Sequence, residues 1–134
     1  MIGSSGTLGG DGLRENRAFL GYLSETLAPL ETERLHAVFL RQDGSFISAE
    51  EIADGSSELV RADLRKLFSK ALEVNAEGMI LAHNHPSGDA RPSEVDIENT
   101  NRIVMLSAAL RIALIDHLIV ASLDVYSIRR GDFL

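Results

Sequence analysis

Short apolar blocks too dense to leave a wet face recur along this chain, and stretches with helical spacing separate them. Leu35, Ala37, Val38, Phe39 and Leu40 form one such block, and Met79, Ile80, Leu81 and Ala82 form another. Blocks of that length suit buried strands. Residues 112–121 are β-rich and long enough for a central strand. Between the blocks, Leu13, Phe19, Leu20, Leu23 and Leu27 predict an amphipathic helix over 13–27, ended by Pro29. A second helix is predicted over 58–75, with Leu59, Val60, Leu64, Leu67, Phe68, Ala71 and Leu72 inward. A third opens at Ser93, with Ile97, Ile103, Val104, Leu106 and Leu110 inward. Asp43-Gly44 marks a hairpin turn into a returning strand over 45–53. A turn at 122–124 leads into a last strand over 125–128. Helices interleaved with strands predict an α/β sandwich, a mixed twisted β-sheet flanked by helices.

The chain has 134 residues and 45% hydrophobic content, which fits one domain with its own core. Residues 1–12, rich in Gly and Ser, read as a flexible leader ahead of a domain over 13–134. No apolar run approaches the roughly 20 residues that span a bilayer, so no membrane partner is expected. Cysteine is absent, which excludes disulfides and thiolate metal sites and fits a cytoplasmic protein. Acidic residues outnumber basic ones 20 to 13, giving a net charge of −7. Such a surface repels a phosphate backbone unless the cations gather on one face. Arg61, Arg65, Lys66 and Lys70 read as a solvated helix face, so this domain alone is not expected to bind nucleic acid. A homo-oligomer remains compatible with the sequence.

The chemistry gathers where the second block ends. His83-Asn84-His85-Pro86 follows directly on a buried strand, and residues two apart in extended backbone point the same way. His83 and His85 can therefore aim at one point, with Pro86 holding His85 extended. Asp96 lies eleven residues after His85, in the first turn of the third helix. Two histidines and a carboxylate form the ligand set of a catalytic zinc, with one position left for water. The same set matches a non-haem iron triad in ligand type, but no cofactor signature accompanies it, and one Zn2+ ion is expected. Ser93-x-x-Asp96 also reads as a helix capping box, a role that leaves one carboxylate oxygen for a metal. His36 reads as a core or edge residue. Asp116-His117 reads as a structural pair within a strand, with the alternative that it orients a ligand from behind.

His83-Asn84-His85-Pro86-Ser87-Gly88, then Pro92-Ser93 and Asp96, resemble the JAMM (MPN-type) metalloprotease motif, and specifically that of the bacterial RadC family. Asp116-His117-Leu118-Ile119-Val120 matches as well, and the resemblance spans about residues 33–134. It implies a twisted sheet with flanking helices and a water-activating metal centre. It also implies an upstream glutamate that accepts a hydrogen bond from the nucleophilic water. Glu50 and Glu51 are the candidates, and neighbours on a strand face opposite sides. Glu50 is expected to share the inward face with Phe46, Ser48 and Ile52. Ser93 resembles the motif serine that steadies the oxyanion. Two features depart from the family. Asp63-Leu64-Arg65-Lys66 stands where many members carry His-Pro-Arg-Glu, and an N-terminal helix-hairpin-helix region is expected to be absent.

The resulting expectation is a zinc-dependent hydrolase acting on an amide or isopeptide bond of a protein or small amide substrate. Glu50 and Ser93 would be its catalytic groups. The alternatives are a non-catalytic MPN interaction module, or a DNA-repair-associated accessory protein, which the acidic charge opposes.

Overall fold

The computed structural model describes residues 10–13, 15–54 and 63–134. A 3-10 turn, Gly10–Leu13, precedes α1 (Arg17–Leu27), β1 (Arg34–Leu40) and β2 (Phe46–Asp54). Then come α2 (Leu64–Glu73), β3 (Gly78–Asn84), α3 (Glu94–Ala109), β4 (Ala113–Ala121), β5 (Asp124–Ser127) and β6 (Asp132–Phe133). The strands form one six-stranded sheet in the order β2-β1-β3-β4-β5-β6. Among the described strands only the β3–β4 pair is parallel, with α3 as its crossover. This is the α/β architecture that the sequence pattern predicts. Among the described residues no helix is long and apolar enough to cross a membrane.

Helices cover both faces of the sheet. Beneath α1, Phe19, Leu20, Leu23 and Leu27 pack with Val38, Leu40, Ile80, Ala82, Leu118 and Val120. Each fully buried side chain of this kind contributes about 1.5–3 kcal/mol. On the opposite face, Leu67 and Ala71 of α2 and Ile103 of α3 cover Leu35, Ala37, Phe39, Met79 and Leu81. The hairpin turn forms as predicted, with the Gly44 N–H donating to the Arg41 carbonyl at 2.9 Å and Gly44 at φ 84°.

Several sequence expectations need correction. Leu13 is buried but lies in the 3-10 turn, and α1 begins after Asn16, whose side chain accepts from Phe19 N at 3.1 Å. That N-cap starts the helix later than its apolar spacing suggests. The leader over 1–12 and the second helix at Leu59 and Val60 fall largely or wholly outside the described residues. Leu72 of α2 is exposed rather than inward. The largest departure is α3, where Ile97, Leu106 and Leu110 face solvent and Val104 is half-buried. The helix instead buries Asp96, Asn99, Thr100, Ile103 and Ser107. That set has equally good helical spacing, and it presents polar groups to the sheet.

Candidate metal centre

The centre lies at the carboxyl end of β3, beside its parallel neighbour β4 and the first turns of α3. Ligands of open α/β sheets commonly sit at the carboxyl ends of strands. The backbone of His85 extends the β3–β4 ladder by one residue, its N–H donating to Val120 O at 2.9 Å. Alternation then sends His83 and His85 to the α3 side and Asn84 to the other. Asn84, fully buried, accepts from Arg34 N at 2.7 Å and donates to Thr32 O at 3.0 Å. It fastens the strand end to the segment that enters β1, so the residue between the two histidines anchors the backbone that carries them.

Asp96 is placed by its own helix terminus. Ser93 Oγ accepts from Asp96 N at 3.0 Å, and Asp96 Oδ2 accepts from Ser93 N at 2.9 Å, a complete capping box. The carboxylate still reaches both imidazoles. His83 Nε2 lies 3.1 Å from His85 Nε2 and 3.4 Å from Asp96 Oδ1, and His85 Nε2 lies 3.2 Å from Asp96 Oδ2. Donors on a tetrahedral ion with bonds of 2.0–2.1 Å stand about 3.3–3.4 Å apart. The spacing and donor types therefore fit a zinc ion, and His83, His85 and Asp96 form a group able to hold a metal.

The histidine nitrogens away from this point are also engaged. His85 Nδ1 is 2.9 Å from the Asp89 carbonyl, which can only accept, so the hydrogen sits on Nδ1 and the Nε2 lone pair faces inward. The Asp96 carboxylate, accepting from Nε2 when the ring is protonated, raises the His85 pKa above its ordinary value, against a smaller opposing effect of burial. For Asp96, burial pushes the carboxyl up, but hydrogen bonds from His83 and His85 in their protonated form outweigh it and hold the group well below the usual range. Behind His83 stands His117, fully buried on β4, with Nε2 2.7 Å from His83 Nδ1. Burial lowers its pKa well below that of a free imidazole.

His117 therefore sits behind a candidate ligand, while the side chain of Asp116 turns away. Asp116 points to the opposite face, where its carboxylate accepts from Ser127 Oγ at 2.5 Å and from Arg129 N at 3.2 Å. Burial pushes that carboxyl up. Thr100 and the Asp89 carbonyl were not legible as parts of the centre. His36 is half-buried in β1, which is paired on both sides, with Nε2 3.5 Å from Glu51. Glu51 also pairs with Arg34 at 3.1 Å. Asp63 caps α2 without a side-chain hydrogen bond.

Glu50 is opposite Ala37 in the β1–β2 register, and Ala37 is opposite Leu81 in β3. Leu35, two residues earlier in β1, is opposite His83. Cross-strand partners share a face, so Glu50 lies on the face of His83 and Glu51 on the other. Phe46 does not share that face. A bulge between Phe39 and Leu40 inserts Ile47, and Phe46 packs beneath α1. A second bulge, between Leu35 and His36, puts Ile52 and Ala53 together in the core under α2.

A family model described as the RadC-like JAB domain matches residues 13–133. The chain belongs to this family. It is 40% identical over 117 residues to a UPF0758 protein of Ruegeria pomeroyi, covering 87% of this chain and 52% of that one. A UPF0758 protein of Porphyromonas gingivalis is 36% identical over 116 residues, covering 87% of this chain and 51% of the relative. The UPF0758 protein YfjY of Escherichia coli is 38% identical over 106 residues, covering 79% and 66%. The chain thus spans about half the length of the first two relatives. The six-stranded mixed sheet with its helices is consistent with that family's fold, and the His83, His85 and Asp96 cluster could hold a metal.

Proposed function

We propose that this domain is a zinc-dependent hydrolase of the JAMM type, cleaving an amide or isopeptide bond in a protein or small amide substrate. The reading is carried by the convergence of His83, His85 and Asp96 at the separations of a tetrahedral shell. A zinc ion held there would act as a Lewis acid and lower the pKa of an adjacent water from about 15.7 toward about 7. Glu50, on the same face of the sheet, accepts the proton of that water and passes it to the leaving nitrogen as the carbon–nitrogen bond breaks. The water oxygen would bond to the carbonyl carbon before that cleavage and remain on it in the acid product, while the amine leaves with the proton. Ser93 Oγ accepts the cap bond from Asp96 N, which leaves its own hydrogen to donate to the carbonyl oxygen as charge builds there.

The test is a screen of zinc-loaded protein against a mixed amide and isopeptide library, run beside His83→Ala, Glu50→Gln and Glu51→Gln. Glu50→Gln should keep fold and metal and lose turnover by about 10²–10⁴-fold, while Glu51→Gln stays near the wild type. Turnover that survives His83→Ala unchanged would sink the reading. So would zinc-loaded wild type with no turnover of any library member, which would favour a non-catalytic interaction module.

A further inference from the structure

The hydrogens on the buried chain behind His83 can be assigned from its heavy atoms alone. Thr100 Oγ1 lies 2.7 Å from the Asp96 backbone carbonyl. A carbonyl has no hydrogen to give, so the one hydroxyl hydrogen of Thr100 lies on that line. Thr100 Oγ1 is also 2.7 Å from His117 Nδ1, and having spent its hydrogen it accepts there. His117 is fully buried, with a hydroxyl and a second ring as its hydrogen-bond partners, surroundings that hold an imidazole neutral. With its one hydrogen on Nδ1, His117 has a bare Nε2. That nitrogen is 2.7 Å from His83 Nδ1, which must then be the donor. The remaining nitrogen of His83, Nε2, is left with its lone pair directed at His85 and Asp96.

We propose that Thr100 and His117 are positioning residues that fix His83 in its Nδ1–H tautomer and so keep Nε2 open as a metal donor. The relay starts and ends on the same ligand set. Thr100 takes its direction from the backbone of Asp96 and delivers it through His117 to His83. One helix turn thus places the carboxylate and sets the proton on the histidine opposite. His85 has its own setter in the Asp89 carbonyl, so each imidazole is oriented by a different segment. The consequence for affinity rests on the metal reading above, whereas the hydrogen assignment does not.

Thr100→Val tests this, because it keeps the side-chain volume and removes the hydroxyl, while Thr100→Ser restores it. In metal-free wild type in alkaline buffer, long-range nitrogen–proton NMR on labelled histidine should find the hydrogen of His83 and of His117 on Nδ1. In Thr100→Val both rings should shift toward the Nε2–H form, and affinity for zinc ion alone should fall about 10–100-fold. Thr100→Ser should restore both. A His83 hydrogen on Nε2 in the wild type overturns the proposal. So does Thr100→Val binding zinc as tightly as the wild type, or Thr100→Ser losing as much as Thr100→Val. A wild type that binds no zinc overturns the metal reading instead, and the tautomers of the metal-free protein still decide the relay.

Discussion

Helices α1 and α3 both lie against the sheet, but they are held there by different forces. The inward face of α1 is Phe19, Leu20, Leu23 and Leu27, wholly apolar. That of α3 is Asp96, Asn99, Thr100, Ile103 and Ser107, with one large apolar side chain. Non-directional burial seats the first helix and tolerates small shifts in angle. The second meets it through polar contacts, Thr100 Oγ1 with His117 Nδ1 at 2.7 Å and the Asp96 carboxylate with His83 and His85, which fix position and rotation together. The contrast separates a surface selected to exclude water from one selected to aim donors. The apolar residues that α3 does not bury, Ile97, Met105, Leu106 and Leu110 among them, are left facing out.

If that division holds, a cavity under α1 should cost stability without touching the metal. Phe19→Ala is expected to destabilise by about 3–5 kcal/mol. Metal affinity of the fraction that remains folded should match the wild type. A large loss of affinity in that folded fraction would break the comparison.

The helix caps sharpen it further. Asn16 and Ser93 each accept one hydrogen bond at the start of their helix, and replacing either by Ala should cost about 1 kcal/mol. Their effect on the centre should differ, because only Ser93 shares the capping box with Asp96. Ser93→Ala should weaken metal binding and Asn16→Ala should not. Chemical denaturation and zinc titration of the same two variants read both effects, and equal affinities would count against the role given to α3.

A smaller effect concerns pH. His85 in the metal-free protein keeps its proton above the ordinary imidazole value of about 6.5, because of Asp96. Its contact with Asp96 therefore stabilises below about pH 6.5 and fades as pH rises through the raised value. His117 runs the other way. Its depressed value gives a contribution that is present above about 6.5 and lost as pH falls. Because the two oppose, the thermal midpoint is a poor readout and proton release is a better one. Zinc titration by calorimetry in two buffers of different ionisation enthalpy, at about pH 6.5, should show protons leaving on binding. Affinity should tighten with rising pH. Zero release with a flat profile would contradict the ligand assignment.

The sheet, α1 and the meeting of His83 with His85 were legible because each depends on periodicity alone. Dense apolar runs made strands, a 3.6-residue stripe made α1, and alternation put two imidazoles on one side. Where periodicity offered two answers, hydrophobicity chose the wrong one. Residues 96, 99, 100, 103 and 107 have as good a helical stripe as the apolar set, and the site determined which turned inward. Register was the other blind spot. A bulge between Met79 and Ile80 in the β3–β4 pairing sets Asp116, not Ile115, opposite Ile80 and places His117 opposite Leu81, on the metal face. Strict alternation from Leu114 would have put Asp116 there. The paired bulges of β2 are equally silent in the sequence, as is the two-residue strand β6.

The central claim is that His83, His85 and Asp96 share one metal ion. Its most direct test is metal content after zinc reconstitution and removal of excess, measured on the wild type and on His83→Ala, His85→Ala and Asp96→Asn. One zinc per wild-type chain is expected, and loss of that zinc in each variant, with all four proteins folded. Wild type without zinc, or variants that retain a full equivalent, would contradict it.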